Sequence, residues 1–382
     1  MATTGKELLR GVTVPLVTPM DAPGEPRTAV GSGAELLTAM RDAGVDALML
    51  LGSNGEGPLL PTDAIGAFTV ETATLWRESH DTTHERPRTA THDSSHTATH
   101  DSSHTATHDQ DGPSVAGPVL VNITAAGTAE VMDRAEAVLP ASPDALVLSP
   151  PIYFHHRDDE IVAHYAACAE LGIPVVAYNA PKYSNPITPQ VFHALLEMEH
   201  VVGIKDSSGD LDMLRHMVKT AHARRPDFGV GQGAEGALAD GLRGGADGIV
   251  PGIANIAPDV AVALHRAWCA ESSPETGSPS RSDVHSAHHA QATGAPCADG
   301  DAAEDAAEDN GDVSADAWQT VVDQLCGIHR IRPGVPTIKA ILDERGLCPP
   351  HVAPPLLPCT PDERTALAEY LRPHESNLIR RR

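Results

Sequence analysis

Short runs of apolar residues alternate along this chain with longer segments whose apolar residues recur every three or four positions. The short runs are rich in β-branched residues and end in turn-forming residues, which predicts eight strands at residues 11–17, 47–51, 118–123, 145–148, 174–178, 201–205, 228–231 and 248–251. The longer periodicity predicts helices at residues 34–43, 63–76, 129–138, 160–171, 189–196, 211–223 and 235–243. Strands and helices in alternation are typical of βα units around a parallel sheet.

Eight such units predict an α/β fold of the TIM (β/α)8 barrel class. A doubly wound sheet stays open as the alternative, but it usually has a glycine-rich phosphate loop after its first strand, and Pro15–Pro19 is not one. Helical patterns at residues 315–330, 335–345 and 360–372 predict a C-terminal helical extension packed on the barrel. Residues 1–371 then form a single domain, and residues 372–382 are a basic tail.

Two stretches lack the pattern of a packed core and predict disordered insertions. Residues 81–114 contain the octad THDSSHTA written twice, and residues 272–313 are acidic and rich in Ala, Ser and Pro. The histidines of the first insertion recur at multiples of four, which on a helix would give a metal-binding face. Thr, Ser and Asp are poor helix formers and duplication alone produces regular spacing, so no metal site is predicted.

Charge and cysteine content narrow the class of protein. A net charge of −25 argues against nucleic-acid binding, which needs clustered Lys and Arg. The six cysteines form no C-x-x-C pair, so neither zinc nor disulfides are indicated and a reduced cytoplasm is predicted. The sequence has no 18-residue apolar run and does not begin with a signal-peptide pattern, so we expect neither a membrane association nor export.

Lys205 closes an apolar predicted strand and is one of only five lysines. The catalytic residues of a barrel lie at the C-terminal ends of its strands. Desolvation of an ammonium there would lower its pKa from about 10.4, and the neutral amine could attack a ketone carbonyl. The alternative is that the side chain extends to the surface.

Other strand ends carry polar groups that suit the same chemistry. Ser53 and Asn54 lie in the turn Gly52–Gly57, whose hydroxyl, amide and backbone donors could hold a carboxylate. The alternative is an ordinary turn with Asn54 in a left-handed conformation. Tyr178 ends the fifth predicted strand and could transfer protons, or could simply be a core residue. A second tyrosine, Tyr153, follows the fourth.

These motifs resemble a known family. The sequences Gly52-Ser53-Asn54-Gly55-Glu56, Tyr178-Asn179 with Pro181, and Gly203-Ile204-Lys205-Asp206-Ser207-Ser208-Gly209 look like those of the dihydrodipicolinate synthase and N-acetylneuraminate lyase family of class I aldolases. The resemblance extends from Gly11 to about Leu371 outside the two insertions.

The resemblance implies a homotetrameric barrel, a dimer of tight dimers, in which Lys205 forms an imine with pyruvate or another 2-oxo acid. It implies that Tyr178 is the proton donor and acceptor, that Ser53 relays protons, and that Ser53 and Asn54 hold the 2-oxo acid carboxylate. Tyr153 would complete the relay across the tight dimer, and Val250 would line the pyruvate pocket. It implies no metal or organic cofactor.

One position departs from the resemblance. Dihydrodipicolinate-forming members typically have an arginine shortly after the Tyr-Asn-x-Pro motif, where this chain has Lys182-Tyr183-Ser184-Asn185. This difference argues against lysine biosynthesis, and the motifs at residues 52–56 and 205–209 look more like those of members that act on 4-hydroxy-2-oxoglutarate or 2-keto-3-deoxy sugar acids. The resemblance therefore favours an aldolase or lyase that joins or separates pyruvate and an aldehyde and acts on one of these substrates. The alternatives are a 4-hydroxy-tetrahydrodipicolinate synthase of lysine biosynthesis, a keto-deoxy sugar acid dehydratase, and a non-catalytic barrel that binds 2-oxo acids.

Overall fold

Eight parallel strands close into a barrel in the computed structural model, which describes residues 3–27, 32–81, 117–272 and 313–380. The barrel strands are β1 (Gly11–Pro15), β4 (Ala47–Leu50), β5 (Val119–Asn122), β6 (Ala145–Leu148), β7 (Val175–Asn179), β8 (Val201–Asp206), β9 (Gly229–Gln232) and β10 (Gly248–Ile249). They are hydrogen-bonded in chain order, and β10 pairs with β1 to complete the ring. The (β/α)8 prediction is confirmed, and the doubly wound alternative is wrong.

Helices follow the strands in the pattern that the periodicity predicts. They are α2 (Ser32–Asp42), α3 (Thr62–Asp81), α4 (Thr128–Val138), α5 (Asp158–Ala167), α6 (Pro189–Leu196), α7 (Leu211–Arg224), α8 (Leu238–Arg243) and α9 (Pro258–Ser272). The apolar periodicity did not reveal α9, because its first turns bury consecutive apolar residues and so show no clear polar face. A small antiparallel hairpin of β2 (Met20–Ala22) and β3 (Glu25–Pro26) was also not predicted.

A short helix at the start of the chain, α1 (Gly5–Leu9), packs into the interior of the barrel. Thr4 caps its N-terminus, accepting a hydrogen bond from the Glu7 amide while the Glu7 side chain accepts one from the Thr4 amide. Leu8 and Leu9 are buried in the inner apolar cluster together with Met49 and Tyr178. This cluster fills the barrel beneath the ends of the strands.

The C-terminal extension consists of α10 (Ala315–Cys326), α11 (Val335–Glu344) and α12 (Pro361–Leu371). The chain continues through a 3-10 helix at Arg372–Asn377, after which Leu378 and Ile379 are buried. The amide of Ile379 donates to the carbonyl of Ile256 at 2.8 Å. The described part of the segment assigned to a basic tail therefore packs on the barrel instead of ending outside it.

The predicted insertions at residues 81–114 and 272–313 lie outside the described residues except at their ends. Within the described ranges, none of the helices combines the length and apolar character needed to cross a bilayer.

Candidate active site

Lys205 lies near the C-terminal end of β8 and is only 4% exposed. Its Nζ atom approaches the sulfur of Met49 at 3.7 Å inside the barrel. A Cβ atom at Gly233 would lie 2.7 Å from Cε of Lys205, so the absence of a side chain there leaves room for the lysine. Lys205 therefore points into the barrel and does not extend to the surface.

Tyr178 lies directly beside Lys205 because β7 and β8 pair with these two residues in register. The Nζ atom of Lys205 is 4.4 Å from the centroid of the Tyr178 ring. Burial raises the pKa of the Tyr178 phenol, but the charge of Lys205 and hydrogen bonding with Ser53, Ser207 and Lys205 outweigh it and lower the pKa below its ordinary value. Tyr178 is thus a core residue and also the partner of the lysine.

A buried pair of polar residues, Asn179 and Asp206, joins the last positions of β7 and β8. The Asn179 amide donates to the Asp206 carboxylate at 2.6 Å, and the Ser208 hydroxyl donates to its other oxygen at 2.9 Å. Burial raises the pKa of Asp206, and the hydrogen bonds from Ser208 and Asn179 only partly offset that effect. These contacts hold the residues that precede them, Tyr178 and Lys205, in one arrangement.

The turn after β4 brings Ser53 and Asn54 to the same end of the barrel. Its left-handed residues are Leu51, with φ of 59°, and Glu56, with φ of 57°; the sequence-based alternative placed this conformation at Asn54 and is wrong. The buried guanidinium of Arg134 donates to the carbonyls of Gly57 and Leu60 at 2.6 and 3.1 Å. These bonds fix the backbone at the end of the turn.

Glu56 joins this turn to the C-terminal extension. Its carboxylate accepts the amide of Ala353 at 2.6 Å and lies 2.5 Å from Nζ of Lys339 on α11, and both side chains are fully buried. The ammonium of Lys339 also donates to the carbonyl of His351 at 2.6 Å. The extension is therefore anchored next to Ser53 and Asn54 by a buried ion pair.

A cavity of about 360 Å³ opens above these residues. Ser53, Asn54 and Tyr178 line it, and so do three residues that the sequence analysis missed: Asn122, Thr124 and Ser149. Those three follow or end β5 and β6, so a search of every strand end would have found them. Residues 333–336 and Leu356 of the C-terminal extension form its outer wall.

Lys205 and Val250 are not among the residues that line this cavity. Val250 lies in the inner apolar cluster with Tyr178, and its Cγ2 atom is 3.4 Å from where a Cβ atom of Gly231 would be. Both side chains therefore lie deeper in the barrel than the cavity, with Tyr178 in contact with each region.

Tyr153 is not brought to Lys205 within one chain. Its side chain is 87% exposed, its φ is 84°, and its ring stacks edge-on against Phe154 with centroids 4.7 Å apart. The Asn185 amide holds this loop, donating to the carbonyls of Pro151 and Phe154 at 2.9 and 2.7 Å. The loop thus presents two aromatic rings to the outside in a fixed backbone conformation.

The part of the chain that the structure describes contains no cluster of three or more His, Cys, Asp or Glu side chains arranged to hold a metal ion. The histidine repeat, for which a metal-binding face was the weaker interpretation, lies outside that part.

Comparison with known proteins supports the resemblance of the motifs. Residues 110–298 match the model of the dihydrodipicolinate synthetase family. An uncharacterized DapA-like lyase of Halobacterium salinarum is 30% identical over 262 residues, which are 68% of this chain and 72% of that protein. A probable 2-dehydro-3-deoxy-D-pentonate aldolase of Escherichia coli, YjhH, is 31% identical over 154 residues, which are 40% of this chain and about half (51%) of that protein.

The fold is shared with solved structures. The crystal structure of YagE from Escherichia coli K12, a prophage protein of the dihydrodipicolinic acid synthase family in complex with pyruvate, superposes with a TM-score of 0.70. The two chains are 22% identical, and the superposition covers 96% of this chain and 99% of YagE.

Proposed function

This chain belongs to the dihydrodipicolinate synthetase family of lyases and aldolases, and we propose that it makes or breaks the bond between C3 and C4 of a 4-hydroxy-2-oxo acid. The products of cleavage are pyruvate and an aldehyde. The substrates that we favour are 4-hydroxy-2-oxoglutarate and 2-keto-3-deoxy sugar acids.

The observation that carries the proposal is the contact between the Lys205 amine and the Tyr178 phenol at the ends of adjacent strands. A primary amine is the nucleophile required to form an imine with a 2-oxo acid. A phenol next to it can supply and remove the protons that this reaction needs. Relatives of this chain are named as lyase, aldolase and synthase, and these names are compatible with a reaction at a carbon–carbon bond.

In the proposed mechanism, Ser53 and Asn54 hold the carboxylate of pyruvate while the Lys205 amine attacks C2. The carbinolamine loses water to give an imine, and loss of a proton from C3 gives an enamine. The enamine carbon attacks the aldehyde carbonyl, which becomes the C4 hydroxyl after protonation. Hydrolysis of the imine then releases the product and the Lys205 amine, and no atom is oxidised or reduced overall.

Tyr178 is the proposed donor and acceptor of these protons, with Ser53 as its relay. The lowered pKa of Tyr178 favours this role, because a phenol that ionises more readily transfers its proton at a smaller cost. Val250 would line the inner end of the pocket against the bound 2-oxo acid. Its place in the apolar cluster around Tyr178 suits the methyl group of pyruvate.

Tyr153 is proposed to act in the neighbouring subunit of a tight dimer, in a homotetramer built as a dimer of dimers. Its exposure and its rigid loop are compatible with insertion into a partner. We further propose a cytoplasmic location; the five cysteines of the described residues are all free thiols, as a reduced compartment favours.

The test is to trap the imine. Incubation with pyruvate and borohydride, followed by intact mass measurement and peptide mapping, should give one reduced pyruvyl group on Lys205. Lys205→Met should give none while keeping the circular dichroism spectrum of the wild type, and the exposed control Lys219→Met should be labelled normally. Labelling of the Lys205→Met protein, or normal turnover by it, would contradict the mechanism.

Product analysis distinguishes the proposed reaction from dehydration. Release of pyruvate from a hydroxylated 2-oxo acid identifies cleavage, whereas an intact carbon chain that has lost water identifies a dehydratase.

A further inference from the structure

The outer part of the cavity contains no cationic side chain among the described residues that line it. Its one charged lining residue is Glu56, whose carboxylate is neutralised by the buried ammonium of Lys339. An anionic group that enters this space would lose its hydration without gaining a counter-charge, which is costly.

Three cations that are bonded to residues in or next to this wall are held by groups of the protein itself. Arg332, which precedes the lining residue Pro333, donates to the carbonyl of Leu357 at 3.3 Å. The Arg134 guanidinium is bound to two backbone carbonyls of the turn, and Lys339 is bound to Glu56 and to the carbonyl of His351. Lys182 is exposed, does not line the cavity, and lies 5.3 Å from the centroid of the Tyr183 ring. Its neighbour Tyr183, in the turn that follows β7, does line the cavity.

The wall instead presents a chain of neutral polar groups. The Thr124 hydroxyl donates to the Asn122 amide oxygen at 2.8 Å and accepts the amide of Ser149 at 3.0 Å. The Ser149 hydroxyl lies 3.3 Å from that of Thr124, and the Asn122 amide donates to the carbonyl of Leu51 at 2.9 Å. The Ser149 hydroxyl also donates to the carbonyl of Pro150 at 3.1 Å, so the donors of these buried side chains are in use. The oxygens of Asn122 and Ser149 keep acceptor capacity beyond these bonds, and because they are already oriented they can accept a hydrogen bond from a substrate hydroxyl at little entropic cost.

We propose that the aldehyde half of the substrate is an uncharged hydroxyaldehyde, recognised by Asn122, Thr124 and Ser149. Of the two favoured substrates, this selects the 2-keto-3-deoxy sugar acid, whose single carboxylate belongs to the pyruvate half, over 4-hydroxy-2-oxoglutarate, which carries a second carboxylate on the aldehyde half. This inference rests on the proposed function. The enamine of pyruvate adds to the aldehyde carbon, and the product is a 4-hydroxy-2-oxo acid with the remaining hydroxyls unchanged.

The experiment compares matched aldehydes with saturating pyruvate after the adduct on Lys205 has been established. Glycolaldehyde carries a hydroxymethyl group where glyoxylate carries a carboxylate. Glyceraldehyde carries two hydroxyl groups that propanal lacks. We expect kcat/KM for glycolaldehyde to exceed that for glyoxylate by at least about tenfold, and glyceraldehyde to exceed propanal by a similar factor, as for one or two buried hydrogen bonds.

Two variants test the residues. Ser149→Ala should lower the ratio of kcat/KM for glyceraldehyde to kcat/KM for propanal about fivefold, the equivalent of one hydrogen bond. Tyr183→Arg places a cation at the cavity wall and should raise the ratio of glyoxylate to glycolaldehyde turnover. Lys182→Met is the charge control and should leave that ratio as in the wild type.

Glyoxylate reacting as fast as glycolaldehyde would overturn the inference, and so would failure of both hydroxyaldehydes to react while the adduct forms on Lys205. Equal losses for glyceraldehyde and propanal in Ser149→Ala would also overturn it. Failure to form the adduct overturns the proposed function instead, which keeps the two conclusions separable.

Discussion

The hydroxyl of Tyr178 is the smallest group on which the proposed mechanism depends. Tyr178→Phe keeps the ring against Lys205 but removes the proton donor, so we predict a loss of about 10²–10⁴ in kcat with the adduct on Lys205 still trappable. Because the pKa of Tyr178 is lowered, the phenol loses its proton, and the wild-type rate declines, at a pH below the ordinary tyrosine value. Steady-state rates across pH check both statements.

The matched control is Tyr370→Phe, which removes a hydroxyl bonded to the carbonyl of Gln324 in the C-terminal extension. Its rate and pH profile should match those of the wild type. An unchanged rate in Tyr178→Phe would show that another group transfers the proton.

His164 gives a prediction about stability at low pH. Burial, with a smaller effect from His156, lowers the pKa of His164 to about 4, whereas the unfolded chain has the ordinary value near 6.5. Between these values the unfolded chain binds a proton that the folded chain does not, so the contribution is complete above pH 6.5 and is lost as pH falls toward 4. The loss amounts to about 3 kcal/mol in the free energy of unfolding.

Urea titrations at several pH values measure this effect. His164→Gln can keep a hydrogen bond to Thr128, which lies 2.8 Å from Nδ1 of His164, but cannot titrate, so its stability should decline less between pH 7 and pH 4. The exposed His193→Gln should follow the wild type. Parallel curves for the wild type and His164→Gln would contradict the prediction.

At the scale of single residues, the sequence located the side chains whose position the strands determine. Lys205 and Tyr178 end adjacent strands, so the barrel topology alone brings them together. The left-handed residues of the turn after β4 were not foreseen, because packing under Leu51 and Glu56 decides which residues adopt that conformation. The sequence around Tyr153 also does not show which active site its ring reaches, since within one chain the ring points outward.

At the scale of elements, the contact between α11 and the turn after β4 carries a prediction. Lys339→Met leaves the Glu56 carboxylate buried without its counter-charge, so we expect a loss of about 3–5 kcal/mol in the free energy of unfolding. Combining it with Glu56→Gln removes the unpaired charge, and the double variant should lose less than the sum of the two single variants. Denaturant unfolding of the wild type, the two single variants and the double variant gives the coupling free energy of the pair.

An exposed ion pair provides the control. Arg215 and Asp212 lie 2.8 Å apart on the surface of α7, and Arg215→Met should change stability by at most about 1 kcal/mol. If the losses of unfolding free energy in Glu56→Gln and Lys339→Met simply add in the double variant, the ion pair does not couple the extension to the barrel.

The elements themselves were predictable where one face is apolar and the other polar, as in α6 between Pro189 and Leu196. The helix α9 was missed because its buried residues run consecutively, which hides the helical period. The hairpin of β2 and β3 is too short to show alternation. Burial of Leu378 and Ile379 after a basic segment was also not foreseen, because it depends on a tertiary contact with Ile256.

At the scale of the whole molecule, the proposed role of Tyr153 predicts complementation between subunits. Lys205→Ala lacks the amine but supplies an intact Tyr153, and Tyr153→Phe has the opposite defect. In an isologous dimer formed at random from equal amounts of the two, about a quarter of the sites would combine an intact Lys205 with the partner subunit's Tyr153. We expect activity near that fraction after the mixture is dissociated and reassembled.

Sedimentation of the mixture confirms that dimers have re-formed. Activity no higher than the average of the two separate variants would place Tyr153 outside the relay.

The two insertions leave and rejoin the barrel at points that are tied together. Nε1 of Trp76 on α3 donates to the carbonyl of Gly117 at 3.0 Å, and the amide of Ala315 donates to Glu271 on α9 at 2.8 Å. Both helices run back from the strand ends that carry the site, so these ties lie at the opposite face of the barrel. Each doubling of a loop adds only about 0.6 kcal/mol of closure entropy. These two positions are therefore suitable sites for inserting a reporter domain or a surface anchor. An enzyme immobilised through them would keep the strand ends that carry the active site directed toward the solution.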